Sequence, residues 1–122
     1  MELLRKVQAH ILAHPEEFDM DYWICGTTAC IAGHAALMSG YRDGQSLRSI
    51  NWLLDAEGNA CSPIDAGASV LDVNPDQADR LFFIENWPPG FREPYVNATE
   101  REEIARAASD RIDHFIATDG RE

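Results

Sequence analysis

Residues 23–40, WICGTTACIAGHAALMSG, decide how this chain is read. Two of the three cysteines, Cys25 and Cys30, and one of the four histidines, His34, fall within ten residues of each other. The stretch holds no Asp, Glu, Lys or Arg. A helix that is apolar on every face belongs inside a protein, and Ile31, Ala32, Ala35, Ala36, Leu37 and Met38 leave no polar face here. Thr27 or Thr28 can cap its start and Gly40 can end it. The expectation is a central helix over about 27–40.

Outward from that helix, local signals give its neighbours. Leu3, Leu4, Val7, Ile11 and His14 recur at helical spacing, so a first helix runs from about Glu2 to His14 and stops at Pro15. Ser62-Pro63-Ile64-Asp65 reads as cap, first-turn proline and first-turn acid, and Asn74-Pro75 repeats the start signal for a helix continuing to Ile84. Trp87-Pro88-Pro89-Gly90 reads as a stop followed by an extended loop to Tyr95. Thr99 and Glu102 have the spacing of a capping box, and the helix they would begin carries an apolar stripe of Ile104, Ala108, Ile112 and Phe115. Residues 42–61 are ambiguous between strand and helix: Ile50, Trp52 and Leu54 alternate, whereas Leu47, Ile50 and Leu54 fit a short helix, which is the reading preferred. The fold expected is all-α, a single domain over residues 1–122 with five or six short helices around the 27–40 helix.

Composition narrows the function. A chain of 122 residues has the size of one domain. Acidic residues number 21 against 10 Lys plus Arg, for a net charge of −11. Polyanions are held by neutralising their phosphates with Lys and Arg, so direct nucleic-acid binding is disfavoured, while the same charge allows attraction to a basic protein partner, mimicry of a polyanion, or simply solubility. No apolar run reaches the ~20 residues that cross a bilayer. Three cysteines cannot all pair, which fits a reducing cytoplasm. No glycine-rich phosphate loop, Gly-x-Ser-x-Gly or His-Glu-x-x-His occurs, and no cofactor is expected.

The motif Cys25-Gly26-Thr27-x-x-Cys30-x-Ala32-Gly33 resembles one found in small bacterial and phage proteins without known activity. The later "NPDQADRLF", Asn74–Phe82, with a Trp-Pro nearby, is similar too. The resemblance implies a shared fold. Because many such proteins belong to phages or mobile elements, it also suggests an inhibitor of a nucleic-acid-binding host protein. Separately, Cys30-x-x-x-His34 is similar to part of the alkylhydroperoxidase-D motif, although that family spaces its cysteines as CxxC and Cys25 departs from this by two residues.

Three readings of the central stretch compete. In the first, Cys30 packs as a small hydrophobe, Gly33 admits a neighbouring backbone, and His34 sits at the core edge bonded to a carbonyl or carboxylate. In the second, Cys25 at a helix N-terminus is a thiolate, Cys30 resolves it and His34 accepts a proton. In the third, Cys25, Cys30 and His34 hold a structural zinc, with Cys61 or one of His10, His14 and His114 as the fourth ligand. The first is preferred, which makes the protein a non-catalytic binding module. Its partner-binding residues are then Trp87 and Phe91 on an aromatic loop, with Glu16, Glu17, Asp19 and Asp21 on an acidic connector. His10 and His14, one helical turn apart, are expected to be an ordinary pair at the solvent edge.

Overall fold

In a computed structural model the backbone is described for residues 1–25, 28–44 and 53–122, with the Cys25 side chain outside the description. The described chain is predominantly helical, as expected. Helix α1 (Glu2–Ala13) leads through a 3-10 turn (Pro15–Glu17) into a two-residue hairpin of β1 (Ile24–Cys25) and β2 (Thr28–Ala29). Helix α2 (Ile31–Met38) follows. Strands β3 (Arg42–Asp43), β4 (Leu53–Leu54) and β5 (Ala60–Cys61) form a small antiparallel sheet. Helices α3 (Pro63–Leu71), α4 (Pro75–Phe82), α5 (Pro89–Asn97) and α6 (Arg101–Ala117) complete the chain.

Helix α2 is central, with Ile31 through Ala36 all buried. It is shorter than its composition suggests because the residues before it pair as a hairpin, Ile24 opposite Ala29 and Cys25 opposite Thr28. Cap duty therefore falls to Cys30 and not to Thr27 or Thr28. Cys30 is extended (φ −82°, ψ −176°), and its Sγ accepts the Gly33 N–H at 3.5 Å. Two glycines let neighbours approach this helix. A Cβ on Gly33 would collide with the Trp23 carbonyl oxygen and lie 2.9 Å from Ala29 Cβ, and one on Gly67 of α3 would lie 2.9 Å from Ala32 Cβ.

The main core is built from Leu4, Val7 and Ile11 of α1, Phe18, Ile31 and Ala35 of α2, Leu81 and Phe82 of α4, and Ala108, Ile112 and Phe115 of α6. A smaller cluster joins Ile24, Ala29, Ala36, Leu53 and Ala66 beside the sheet. The caps at Ser62 and Asn74 form as read: Ser62 Oγ accepts the Asp65 N–H at 3.1 Å, and Asn74 and Gln77 exchange bonds in a capping box.

Four local expectations change. The residues after Trp87 are helix α5 rather than an extended loop, because Pro89 sits at its first position, where the missing N–H costs nothing. Helix α4 ends at Phe82, since Phe83 turns extended and Ile84–Asn86 form a 3-10 turn. The Thr99–Glu102 capping box does not form: Glu100 holds the cap position of α6, and Thr99 Oγ1 donates to Glu103 Oε1 at 3.3 Å. Within 42–61 the described residues are strands and a turn, not helix. Asp55 Oδ1 accepts the amides of Glu57 and Asn59 at 3.0 and 2.9 Å, and Gly58 takes φ +86°, a conformation that suits glycine. Those amides hold the Asp55 carboxyl below its usual range. Leu47, Ile50 and Trp52, on which the helical reading rested, lie outside the described residues.

Candidate functional site

Of the residues that the sequence groups around Cys25–His34, Cys30 and His34 are interior and Cys61 packs in a different cluster. Cys30 is 1% exposed, and burial pushes its thiol up to about 11, which disfavours the thiolate that nucleophilic or redox chemistry needs. Cys61 is half-buried against the smaller cluster, whereas Cys30 belongs to the main core, so the two sulfurs serve different packing units. Burial, followed by the charges of Asp55 and Asp65, raises the Cys61 thiol as well. His34 is buried, and its Nε2 donates to the Glu17 carbonyl at 2.7 Å. That contact fixes the tautomer. Burial lowers the ring's pKa, which favours the neutral imidazole in the fold. His34 is thus the carbonyl-bonded core-edge histidine of the first reading.

Of the aromatic pair proposed for partner binding, Trp87 is a core residue. It is 1% exposed, its Nε1 donates to the Leu81 carbonyl at 2.9 Å, and Tyr95 meets its ring edge-on with centroids 5.3 Å apart. A large ring between α4 and α5 gains more from leaving water than a loop tip could offer it. Phe91 remains half-buried, stacked on His114 at 4.8 Å.

The acidic connector is more ordered than a solvated segment. Phe18 is fully buried and Met20 packs on the core, which turns Glu16, Asp21 and Tyr22 outward, the last 50% exposed. The Asp19 N–H donates to the Ala29 carbonyl at 3.2 Å and the Cys30 N–H to the Tyr22 carbonyl at 2.8 Å. The Met20 N–H donates to the Tyr95 hydroxyl at 3.1 Å, and Arg101 Nη1 donates to the Phe18 carbonyl at 3.0 Å and approaches Asp19 at 3.4 Å. Three elements, β2, α5 and α6, therefore pin this ledge from below.

At the N-terminal end of the ledge the fold assembles a cluster that sequence reasoning missed. Pro15 starts the 3-10 turn, and the Glu17 N–H closes it onto the His14 carbonyl at 2.9 Å. This brings His14 Nδ1 to 3.6 Å from Glu16 Oε1 and 3.9 Å from Glu17 Oε2, while Glu17 Oε1 lies 3.2 Å from His10 Nε2. The His10 ring centroid is 4.9 Å from those of both His14 and His34. The signal was present in the spacing of His10, His14 and Glu17, but nothing local indicated that His34 would join them from another helix.

Two features lie away from the ledge. Arg111 is fully buried over the Phe115 ring, with Nη2 donating to the carbonyls of Arg80 and Glu122. Burial and the charge of Arg80 pull its guanidinium down to about 10. An open cleft of about 320 Å³ between α5 and α6 is lined by Pro94, Asn97, Glu103, Arg106 and Asp110, among others. No helix among the described residues is long and apolar enough to cross a membrane. Comparison with protein-family models, curated proteins and solved structures finds no match for this chain.

Proposed function

We propose that this protein is a non-catalytic binding module that holds a basic protein through the acidic ledge of Glu16, Glu17, Asp19 and Asp21. The observation that carries the reading is the pinned backbone beneath Glu16, Asp21 and Tyr22. A surface already held in one shape loses little conformational freedom on binding, and a chain of net charge −11 steers a cationic partner toward it. Carboxylates presented beside an exposed tyrosine also suit a partner that otherwise binds nucleic acid, so competitive inhibition of such a protein is the specific form of the proposal. The thiol alternative draws no support from Cys30, whose sulfur is desolvated and engaged as a helix cap.

Calorimetry with a lysine-rich peptide, across rising salt, tests the reading. Binding should weaken as salt screens the charges. The pair Glu16→Lys and Asp21→Lys should cost at least about tenfold in affinity, while a control pair on α6, Glu102→Lys and Asp110→Lys, should cost less than about threefold. Equal losses from the two pairs would mean that bulk charge, and not the ledge, does the binding.

A further inference from the structure

The cluster at the N-terminal end of the ledge combines ligand chemistry with a scaffold that presents it. Glu16 and His14 are more than half and half exposed, at 66% and 50%, so they reach solvent, and Glu17 at 28% is anchored beneath them. His14, Glu16 and Glu17 offer one imidazole nitrogen and two carboxylate oxygens, all within 4.8 Å of one another. A tetrahedral zinc ion bound at ~2.0–2.1 Å needs donors roughly 3.4 Å apart. The 3.6 and 3.9 Å separations about His14 Nδ1 are therefore close to what such an ion requires. Among the described residues this is the group of three or more histidine, cysteine, aspartate and glutamate side chains that converges in this way.

The surroundings resemble an outer shell. One oxygen of Glu17 faces His14 and the other faces His10, so His10 orients the carboxylate and leaves Oε2 free to bind. The Glu17 backbone is held in turn by the buried His34. Pro15 and the closed turn fix the chain between the donors, which lowers the ordering cost of bringing them onto one ion. Imidazole with carboxylates suits zinc and its transition-metal neighbours better than magnesium, which prefers oxygen donors and keeps its water.

We infer that His14, Glu16 and Glu17 form a binding site for a divalent transition-metal cation of the zinc class, with His10 positioning Glu17. This ligand set is distinct from the Cys25, Cys30, His34 and Cys61 set considered from the sequence. The inference does not rest on the protein-partner reading, because it is tested on the isolated chain.

The test is titration of the full chain with Zn²⁺ by calorimetry, with histidine side-chain NMR as the second readout. One ion per chain should bind, perturbing the His14 and His10 ring signals, and 10 mM Mg²⁺ should not displace it. His14→Ala and Glu16→Gln, both at exposed positions where the fold is retained, should each weaken binding at least about tenfold. Cys25→Ser with Cys61→Ser should leave it unchanged. Absence of stoichiometric binding, binding that survives His14→Ala, displacement by Mg²⁺, or loss in the cysteine double variant would each overturn the assignment.

Discussion

The Cys30–His34 region and the His14–Glu17 turn each contain side chains able to bind a metal or move a proton, and they do opposite things with them. Cys30 and His34 are desolvated, and each has a polar atom bonded to the backbone, Cys30 Sγ to the Gly33 N–H and His34 Nε2 to the Glu17 carbonyl. His14, Glu16 and Glu17 are set side by side at the surface, with donor atoms facing one another. A group buried and fully bonded stabilises a fold, whereas partly solvated groups held close together are left available to a ligand. Nearness in sequence to other reactive residue types did not leave Cys30 or His34 open to solvent.

The largest effect should come from the packing on which the first region depends. Gly33→Ala places a methyl group against the Trp23 carbonyl, a backbone obstacle that cannot rotate away. It should cost about 3 kcal/mol or more in urea melts. Gly90→Ala, in α5 with nothing within 4 Å of the added carbon, should be neutral or stabilise by up to about 1 kcal/mol. Comparable stability for the two variants would remove the close-packing account of α2.

Thiol accessibility sharpens the contrast at a smaller scale. Cys30, buried and with its thiol raised to about 11, should react with a native-state thiol reagent at least about 100-fold more slowly than half-buried Cys61. Mass spectrometry of labelled peptides gives both rates in one sample. Rapid labelling of Cys30 near neutral pH would return the thiol mechanism to first place.

The smallest effect is a slope with pH. Burial lowers the His34 pKa in the fold, so the unfolded chain takes up its proton first as pH falls. Its contribution to stability is complete above the unfolded value of about 6.5. It is lost progressively as pH drops from there through the lower folded value. Urea midpoints measured from pH 7.5 to 5 should therefore fall more steeply for the wild type than for His34→Gln. Parallel curves would show that the ring charges as readily in the fold as outside it.

Much of the helical framework was legible because its signals are local. Ser62 before Pro63 and Asn74 before Pro75 place their caps within three residues of the amides they satisfy, so no distant contact is needed to read them. The apolar content of Ile31–Ala36 likewise makes burial unavoidable wherever that helix lies. Boundaries were less legible where two local solutions compete. Thr28 can cap a helix or pair in a strand, and pairing with Cys25 won because Cys30 could serve as the cap. Pro89 can break a chain or begin a helix, and it begins α5.

By itself the sequence determined an all-α chain of strong negative charge with a buried helix after Cys25, since composition, periodicity and capping act over a few residues. Tertiary structure alone decided that Trp87 is interior, that Cys30 and Cys61 belong to different clusters, and that His34 reaches Glu17 seventeen residues away. Those outcomes depend on which faces of separate helices meet. A side chain's solvent exposure, and with it its protonation and reactivity, is settled only when that packing is complete.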